Sequence, residues 1–306
     1  MKREYRYVRG TIRFLLILMA FSAAQCSETE KDSSLKNALI WRISREDLRK
    51  PSYLFGTLHV VDSTQYPIHK TVIEQLKRSD ALVFETDLTL AGYLQKALEH
   101  AMMAHDSLEG VMKKEQYELV RSFFMEEFHF PVEAVRKMKP FYLASLIGSL
   151  QSSPGSTSHE QVLMEVARQE GKPVRGISTI EKESELLARI PVEEQVRYLL
   201  DEIEQYKNGQ SRLLQQEIME AYQAAAISRI QTSVYESLCS YDSIYACMFT
   251  ERNESWVPGM KSLMQKESCF FAVGAGHLAG EWGLITLLRK EGYRVEPVHL
   301  DFWFHD

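Results

Sequence analysis

"YLFGTLHVVD" (53–62) and "FFAVGAGHLA" (270–279) share one arrangement: an apolar strand, then Gly-x-x-His. Ligands in open α/β sheets bind at the carboxyl ends of strands. A glycine at that edge lets the backbone turn sharply or approach a ligand closely. A histidine three residues on stands over the edge. One Gly-x-x-His is a weak signal, and one histidine after a strand is ordinarily a hydrogen-bonded structural residue. Two at equivalent places favour a shared site. If the two strands lie side by side, His59 and His277 face one pocket.

The flanking sequence supports that pairing. "ALIWRIS" (38–44) and "SYLFGTL" (52–58) read as strands, and the polar "REDLRKP" between them makes a hairpin. "PIHKTVIEQLKR" (67–78) carries Ile68, Val72, Ile73 and Leu76 at helical spacing, with Pro67 suited to the first turn. "ALVFETDL" (81–88) is another strand. A helix over 159–171 closes at Gly171, and "KPVRGI" (172–177) is a short strand. Ser178 and Glu181 form a capping box for the next helix. The last part reads strand 268–274, helix 281–291, strand 293–298. The fold class is therefore α/β (α+β): a mixed β-sheet core built from N- and C-terminal segments, with a large helical insertion over about 90–265. An insertion of that length is too long to be a loop and must fold itself.

Glu85 is the third candidate. It interrupts an apolar strand, where a carboxylate is costly unless paired or bound to a cation. The alternative places Glu85 just past the strand, in solvent. Asp87 alternates to the same side and is a weaker substitute. Two imidazoles and a carboxylate suit Zn²⁺, Mn²⁺, Fe²⁺ or Co²⁺, with a position left open for water. Alternatively Glu85 is a general base and the metal has other ligands.

The chain has 306 residues, 45% hydrophobic and 25% charged, with a net charge of −6. That composition is globular, and no basic stripe suggests nucleic acid as a partner. Residues 1–24 read as a signal peptide: a basic start, the apolar "FLLILMAF" (14–21), then the small residues 22–24. The apolar run is far short of the ~20 residues a spanning helix needs. Cys26 sits where a bacterial lipoprotein carries its lipid, with 25–37 as a polar tether; cleavage after Ala24 is the rival. Export to a bacterial periplasm, or anchoring there as a lipoprotein, follows. Cys239 and Cys247 lie two helical turns apart, too far to bond unless the helix breaks near Tyr241–Asp242. Buried thiols are the expected state of Cys239, Cys247 and Cys269.

"YLFGTLHV", "ALVFETDL", "GKPVRGIST", "ERNESW" and "FFAVGAGHLAGEWGLITLLRKEGYRVEPV" together resemble the TraB/GumN family, which includes the Tiki metalloproteases. The likeness covers about 38–298, within a domain of 38–306. It implies an α/β core with a helical insertion, related to erythromycin-esterase-like and haem-binding ChaN-like proteins. It maps the family's paired motifs onto Gly56–His59 and Gly274–His277, its strand-end Glu onto Glu85, and its Arg-Asn pair onto Arg252 and Asn253. Where many members show Gly-x-Asp, this chain reads "GSTSHEQ" (155–161), so Glu160, or less readily His159, replaces the acidic residue. An ordinary first-turn Glu is the alternative for Glu160. Without the family, Arg252 reads as a surface ion pair with Glu251 or Glu254; with it, Arg252 holds a substrate carboxylate or oxyanion, and Asn253 orients.

The resemblance implies an exported metal-dependent hydrolase, a peptidase acting on extracytoplasmic peptides or proteins. His59, His277 and Glu85 would hold Mn, Co or Zn, and Glu85, Arg252, Asn253 and Glu160 would serve the chemistry. The other expectation is a non-catalytic envelope lipoprotein binding a peptide or haem. "HLDFWFHD" (299–306) reads as a strand packing its aromatics on the body rather than as a metal site.

Overall fold

Apolar runs too continuous for a half-exposed sheet decide the frame. β1 (Ile40–Ser44) and β2 (Ser52–Thr57) pair antiparallel, with Ile40 opposite Phe55, as the expected hairpin. The computed structural model of the chain describes residues 35–59, 66–150 and 157–299. The signal peptide, Cys26 and residues 300–306 therefore lie outside the described residues, as does the tether up to 34.

After β2, helix α1 (Lys70–Arg78) leads to β3 (Ala81–Thr86). Helices α2 (Tyr93–Ala101), α3 (Leu108–Val111), α4 (Lys114–Phe128), α5 (Pro140–Leu150) and α6 (His159–Gln169) follow, then β4 (Val174–Ser178). Next come α7 (Ile180–Leu187), α8 (Val192–Lys207), α9 (Gln210–Gln223), α10 (Ile227–Leu238), α11 (Asp242–Tyr245) and α12 (Glu251–Met264). The chain then returns as β5 (Cys269–Gly274), α13 (Leu284–Lys290) and β6 (Arg294–Pro297).

The six strands form one mixed sheet, ordered β4-β3-β5-β2-β1-β6. β5 runs parallel to both neighbours, with Tyr53 opposite Phe270 on one side and Ala81 opposite Cys269 on the other. All six β5 residues are buried. A parallel strand covered on both faces needs such an unbroken apolar run. The C-terminal strand thus inserts between two N-terminal ones, which joins the ends of the chain in one core.

Among the described residues the helical middle serves three clusters, one of them a small group around Phe141, Ile190, Leu238 and Ile244. Val120, Phe123, Phe124, Leu143, Ile147, Leu199 and Ile203 gather in a cluster of their own, the packing an insertion of this length requires. Yet Leu163, Tyr222, Ile230, Trp256 and Met260 pack against the sheet, and β4 joins its edge beside β3.

Several local expectations shift. The first helix starts at Lys70, not at Pro67, because His69 caps it: its Nδ1 accepts the Thr71 N–H at 3.2 Å. Ser178 ends β4, so Thr179 is the N-cap of α7 and its hydroxyl accepts from Lys182 N. The helix does break before Tyr241–Asp242, yet Cys247 remains a buried free thiol, as does Cys269. Cys239 is half-buried and disulfide-bonded, so the expectation of three buried thiols holds for two. His299 is exposed.

Phe271 is fully buried at the centre of the sheet. Phe271→Ala is expected to cost about 3–5 kcal/mol, read as a lower denaturation midpoint in urea; a change below about 1 kcal/mol would contradict a sheet centred on β5.

Candidate functional site

β2, β3 and β5 are parallel and in register, so their carboxyl ends come together. Thr57 pairs with Gly274, and Phe84 with Ala272. Glu85 therefore stands beside the end of β5, and its Oε1 accepts the Gly274 N–H at 2.9 Å. His59 lies two residues beyond β2. His277 sits on a 3-10 turn, Ala275–His277, directly after β5.

Gly274 is the floor on which the three meet. A Cβ there would lie 3.0 Å from His59 Nε2, 3.5 Å from His277 Cδ2 and 3.6 Å from Glu85 Oε1. Glycine leaves that space to the side chains. At the first motif, a Cβ on Gly56 would press on Ala275 at 3.1 Å, so that glycine permits close contact between the two motifs.

Hydrogen bonds orient both imidazoles. Asn253 Nδ2 donates to the carbonyls of Trp282 (2.7 Å) and His277 (3.3 Å), which leaves its Oδ1 as acceptor, 2.8 Å from His277 Nδ1. The His277 proton belongs on Nδ1, and the Nε2 lone pair points out, 3.9 Å from Glu85 Oε1. The rings of Trp256 and Phe249 flank His277 at 4.7 and 4.9 Å. Burial drives the His277 pKa down to about 3 despite the pull of Glu85, so the ring is neutral.

His59 is the opposite case. Its Nδ1 lies 3.0 Å from Glu160 Oε1, while its side chain keeps 63% of its surface open. Loss of water within the cleft works against the charged ring. The Glu160 hydrogen bond and the fields of Glu85 and Glu160 outweigh it, raising the pKa to about 9. Glu160 is itself buried, and its Oε1 also accepts from Thr57 Oγ1 at 2.5 Å. Its Oε2 has no hydrogen-bond partner among the described residues. Burial opposes ionisation of Glu160, but His59 holds its pKa below the usual range.

His159 does different work. Its Nδ1 accepts the Leu58 N–H at 3.2 Å and its Nε2 donates to the Tyr66 carbonyl at 3.1 Å. It ties α6 to the chain leaving β2 and so delivers Glu160, the next residue, to His59. Asp87 turns away and accepts from Thr89 N and Oγ1, closing a local turn.

Arg252 is not a surface residue. Its side chain is 12% exposed and lies between two carboxylates, Glu85 Oε2 at 2.9 Å and Glu183 Oε2 at 2.5 Å. Its guanidinium carbon stands 4.9 Å over the Trp256 ring. Trp256 Nε1 donates to Glu183 Oε1 at 2.8 Å. Burial would raise the Glu85 pKa, but Arg252, with His277, His59 and the Gly274 N–H, lowers it to about 2. Neither Glu251 nor Glu254 holds Arg252; Glu251 pairs with Arg189. A π-helical turn, Ala246–Thr250, precedes α12 and brings Phe249 to His277. Such turns recur at functional sites.

Glu183 was missed from sequence. One signal exists: Ile180, Glu183, Ser184 and Leu187 follow helical spacing, which puts this Glu on the inward face of α7. Only its meeting with Arg252 shows what it does.

Glu85 and Glu183 thus share one guanidinium, while the third carboxylate, Glu160, faces His59. The site has an electron-rich surplus that a proton on His59 or a bound cation would offset. The donor chemistry suits a divalent ion. His59 turns Nε2 towards the Gly274 floor, while His277 meets the floor with Cδ2 and holds Nε2 3.9 Å from Glu85 Oε1. Each Nδ1 is anchored on an oxygen, the outer arrangement that orients histidine ligands. Among the described residues no group of three His, Cys, Asp or Glu side chains is placed to hold a metal. The imidazole pair is therefore the fitting element, and Glu85 is engaged first by Arg252 and Gly274.

A sheet edge of this kind, with a strand-end acid between two Gly-x-x-His turns, defines a class of α/β proteins whose site joins the two ends of the chain. The model of the TraB/PrgY/gumN family matches residues 39–297, and the chain belongs to that family. It is similar to Metalloprotease TIKI2 of Danio rerio, 22% identical over 93% of this chain and 67% of that protein. Uncharacterized protein YbaP of Shigella flexneri is 25% identical over 78% of this chain and 88% of its own length. Metalloprotease TIKI1 of Xenopus tropicalis is 22% identical, over 92% and 66%. The chain spans about two thirds of the length of these TIKI relatives. No solved structure matches. Among the described residues no helix is long and apolar enough to cross a membrane.

Glu85 titrates from 4.5 in an unfolded chain to about 2 here, so its ion pair stabilises the fold above pH 4.5 and is lost as pH falls towards 2. With chelator present, Glu85→Gln should cost on the order of 3 kcal/mol at pH 7. Urea melts of both chains should converge as pH drops through that window; a difference independent of pH would contradict the assignment.

Proposed function

We propose that the chain is an exported metal-dependent hydrolase, a peptidase acting on extracytoplasmic peptides or proteins. The observation that carries this reading is the meeting of His59, His277 and Glu85 over the bare Cα of Gly274, with each imidazole anchored through Nδ1. His59 and His277 would hold the ion, with Glu85 beside them. A divalent ion bound there supplies an activated water and polarises a carbonyl.

The chain's own residues do the rest. Glu160 holds a proton at His59 Nδ1 and sets the ring's direction. Asn253 does the same at His277. Arg252, pinned by Glu85 and Glu183, keeps a fixed positive charge beside the floor, where it steadies negative charge on a substrate. Trp256 and Phe249 close the inner side of His277 to water. Likeness to proteins named metalloproteases supports peptide hydrolysis over other hydrolyses. The basic and apolar leader supports export.

The test is metal analysis of the wild type beside His59→Ala and His277→Ala, with peptide hydrolysis measured on the same samples. The wild type should carry a stoichiometric divalent metal, with Mn or Co ahead of Zn. Both variants should lose it, and hydrolysis should fall at least about 100-fold. Hydrolysis that survives chelation, or a Soret band in a chain free of divalent metal, would overturn the reading.

A further inference from the structure

A cleft of about 390 Å³ opens from His59 and runs between α5, α8 and α9. That is the lower end of the range for small-ligand sites. Its walls are apolar: Leu58, Ile147, Ile218 and Met219 line it, together with a few amides and hydroxyls. Among the described lining residues only two can carry charge, His59 at one end and Glu202 on α8. We propose that this cleft is the specificity pocket of the enzyme and takes a cationic group on an aliphatic stem, a lysine or arginine side chain or an amino terminus of the peptide substrate, with Glu202 as its counter-ion. The inference rests on the peptidase reading above.

The chemistry of the pocket picks out that ligand. A long basic side chain lays its methylene stem on apolar surface and carries its charge at the tip. The apolar walls suit the stem, and Glu202 suits the tip. Among the described residues Glu202 has no salt bridge; its one side-chain hydrogen bond comes from Tyr198. Burial and the nearby Asp201 push its pKa up, against that hydrogen bond. Asp201 itself is engaged by the Tyr241 hydroxyl. A carboxylate kept in apolar surroundings with no cation is costly, and a substrate cation would relieve that cost. Ser211, also on the wall, has a buried hydroxyl without a partner among the described residues, a second polar atom awaiting a ligand. Because His59 is part of the same wall, a residue seated in the cleft would lay its backbone beside Gly274.

The test measures binding apart from turnover. Fluorescent pentapeptides of alanine with lysine, arginine, norleucine or glutamate at the centre are titrated into wild type and Glu202→Gln, both in the His277→Ala background. Each lysine peptide is made with a free and an acetylated amino terminus. Thermal melts confirm that the variants fold. Lysine and arginine peptides should bind the Glu202 chain 10- to 100-fold more tightly than norleucine, and Glu202→Gln should abolish that preference while leaving norleucine affinity unchanged. A preference that follows the free amino terminus instead assigns the pocket to that group and makes the enzyme an aminopeptidase. Equal affinity for all peptides, no binding of any, or a basic preference that survives Glu202→Gln would overturn the proposal. Wild type that hydrolyses peptides without basic preference leaves the hydrolase standing and removes the pocket. A Glu202-dependent preference in a chain without metal or hydrolysis does the reverse.

Discussion

A guanidinium held between two carboxylates underlies the site. Arg252 is nearly buried, and so are Glu85 and Glu183 on either side of it. Removing one partner from such a triad strands a charge away from water, which is expensive. The three residues come from β3, α7 and α12, so this one requirement ties the sheet to the helical middle at its carboxyl edge. It also decides the state of Glu85. Burial alone would make the group a neutral acid; beside Arg252 it is an anion over the whole physiological range.

That anion shapes what surrounds it. Gly274 donates its N–H to Glu85, which holds the end of β5 against the end of β3. The missing side chain at Gly274 then leaves a small open floor with acidic oxygens around it. The two histidines respond differently because their surroundings differ. His277 is packed between aromatic rings and stays neutral, while His59 faces the cleft and is drawn towards a proton by Glu160. An inner, rigid ring and an outer, open one give the floor a closed side and an approach side. The cleft that leads off past His59 lies on the approach side.

Much of this was legible in the residues. The repeated Gly-x-x-His after an apolar run announced two strand ends, and the six buried positions of β5 explain why "CFFAVG" has no polar break. Glu85 stood out because an acid interrupts an apolar strand. Arg252 did not: on its own helix it has Glu251 and Glu254 as neighbours, and a surface pair is the natural reading. Its true partners are 167 and 69 positions away, counting from 252 to 85 and to 183. The same holds for Glu160, whose role depends on His159 fastening α6 to the chain after Thr57.

The sequence by itself determined the α/β class, the pairing of the chain's two ends, the candidate histidines and the strand-end acid. Each is written in local periodicity, where the period of the apolar positions and the place of a glycine settle backbone conformation. Tertiary structure alone decided the order of the strands, the proton positions on the two imidazoles, the burial of Arg252 and the entry of Glu183. Those depend on electrostatic and packing partners distant along the chain, and a charge acquires its meaning only from the charges and the water that remain beside it after folding.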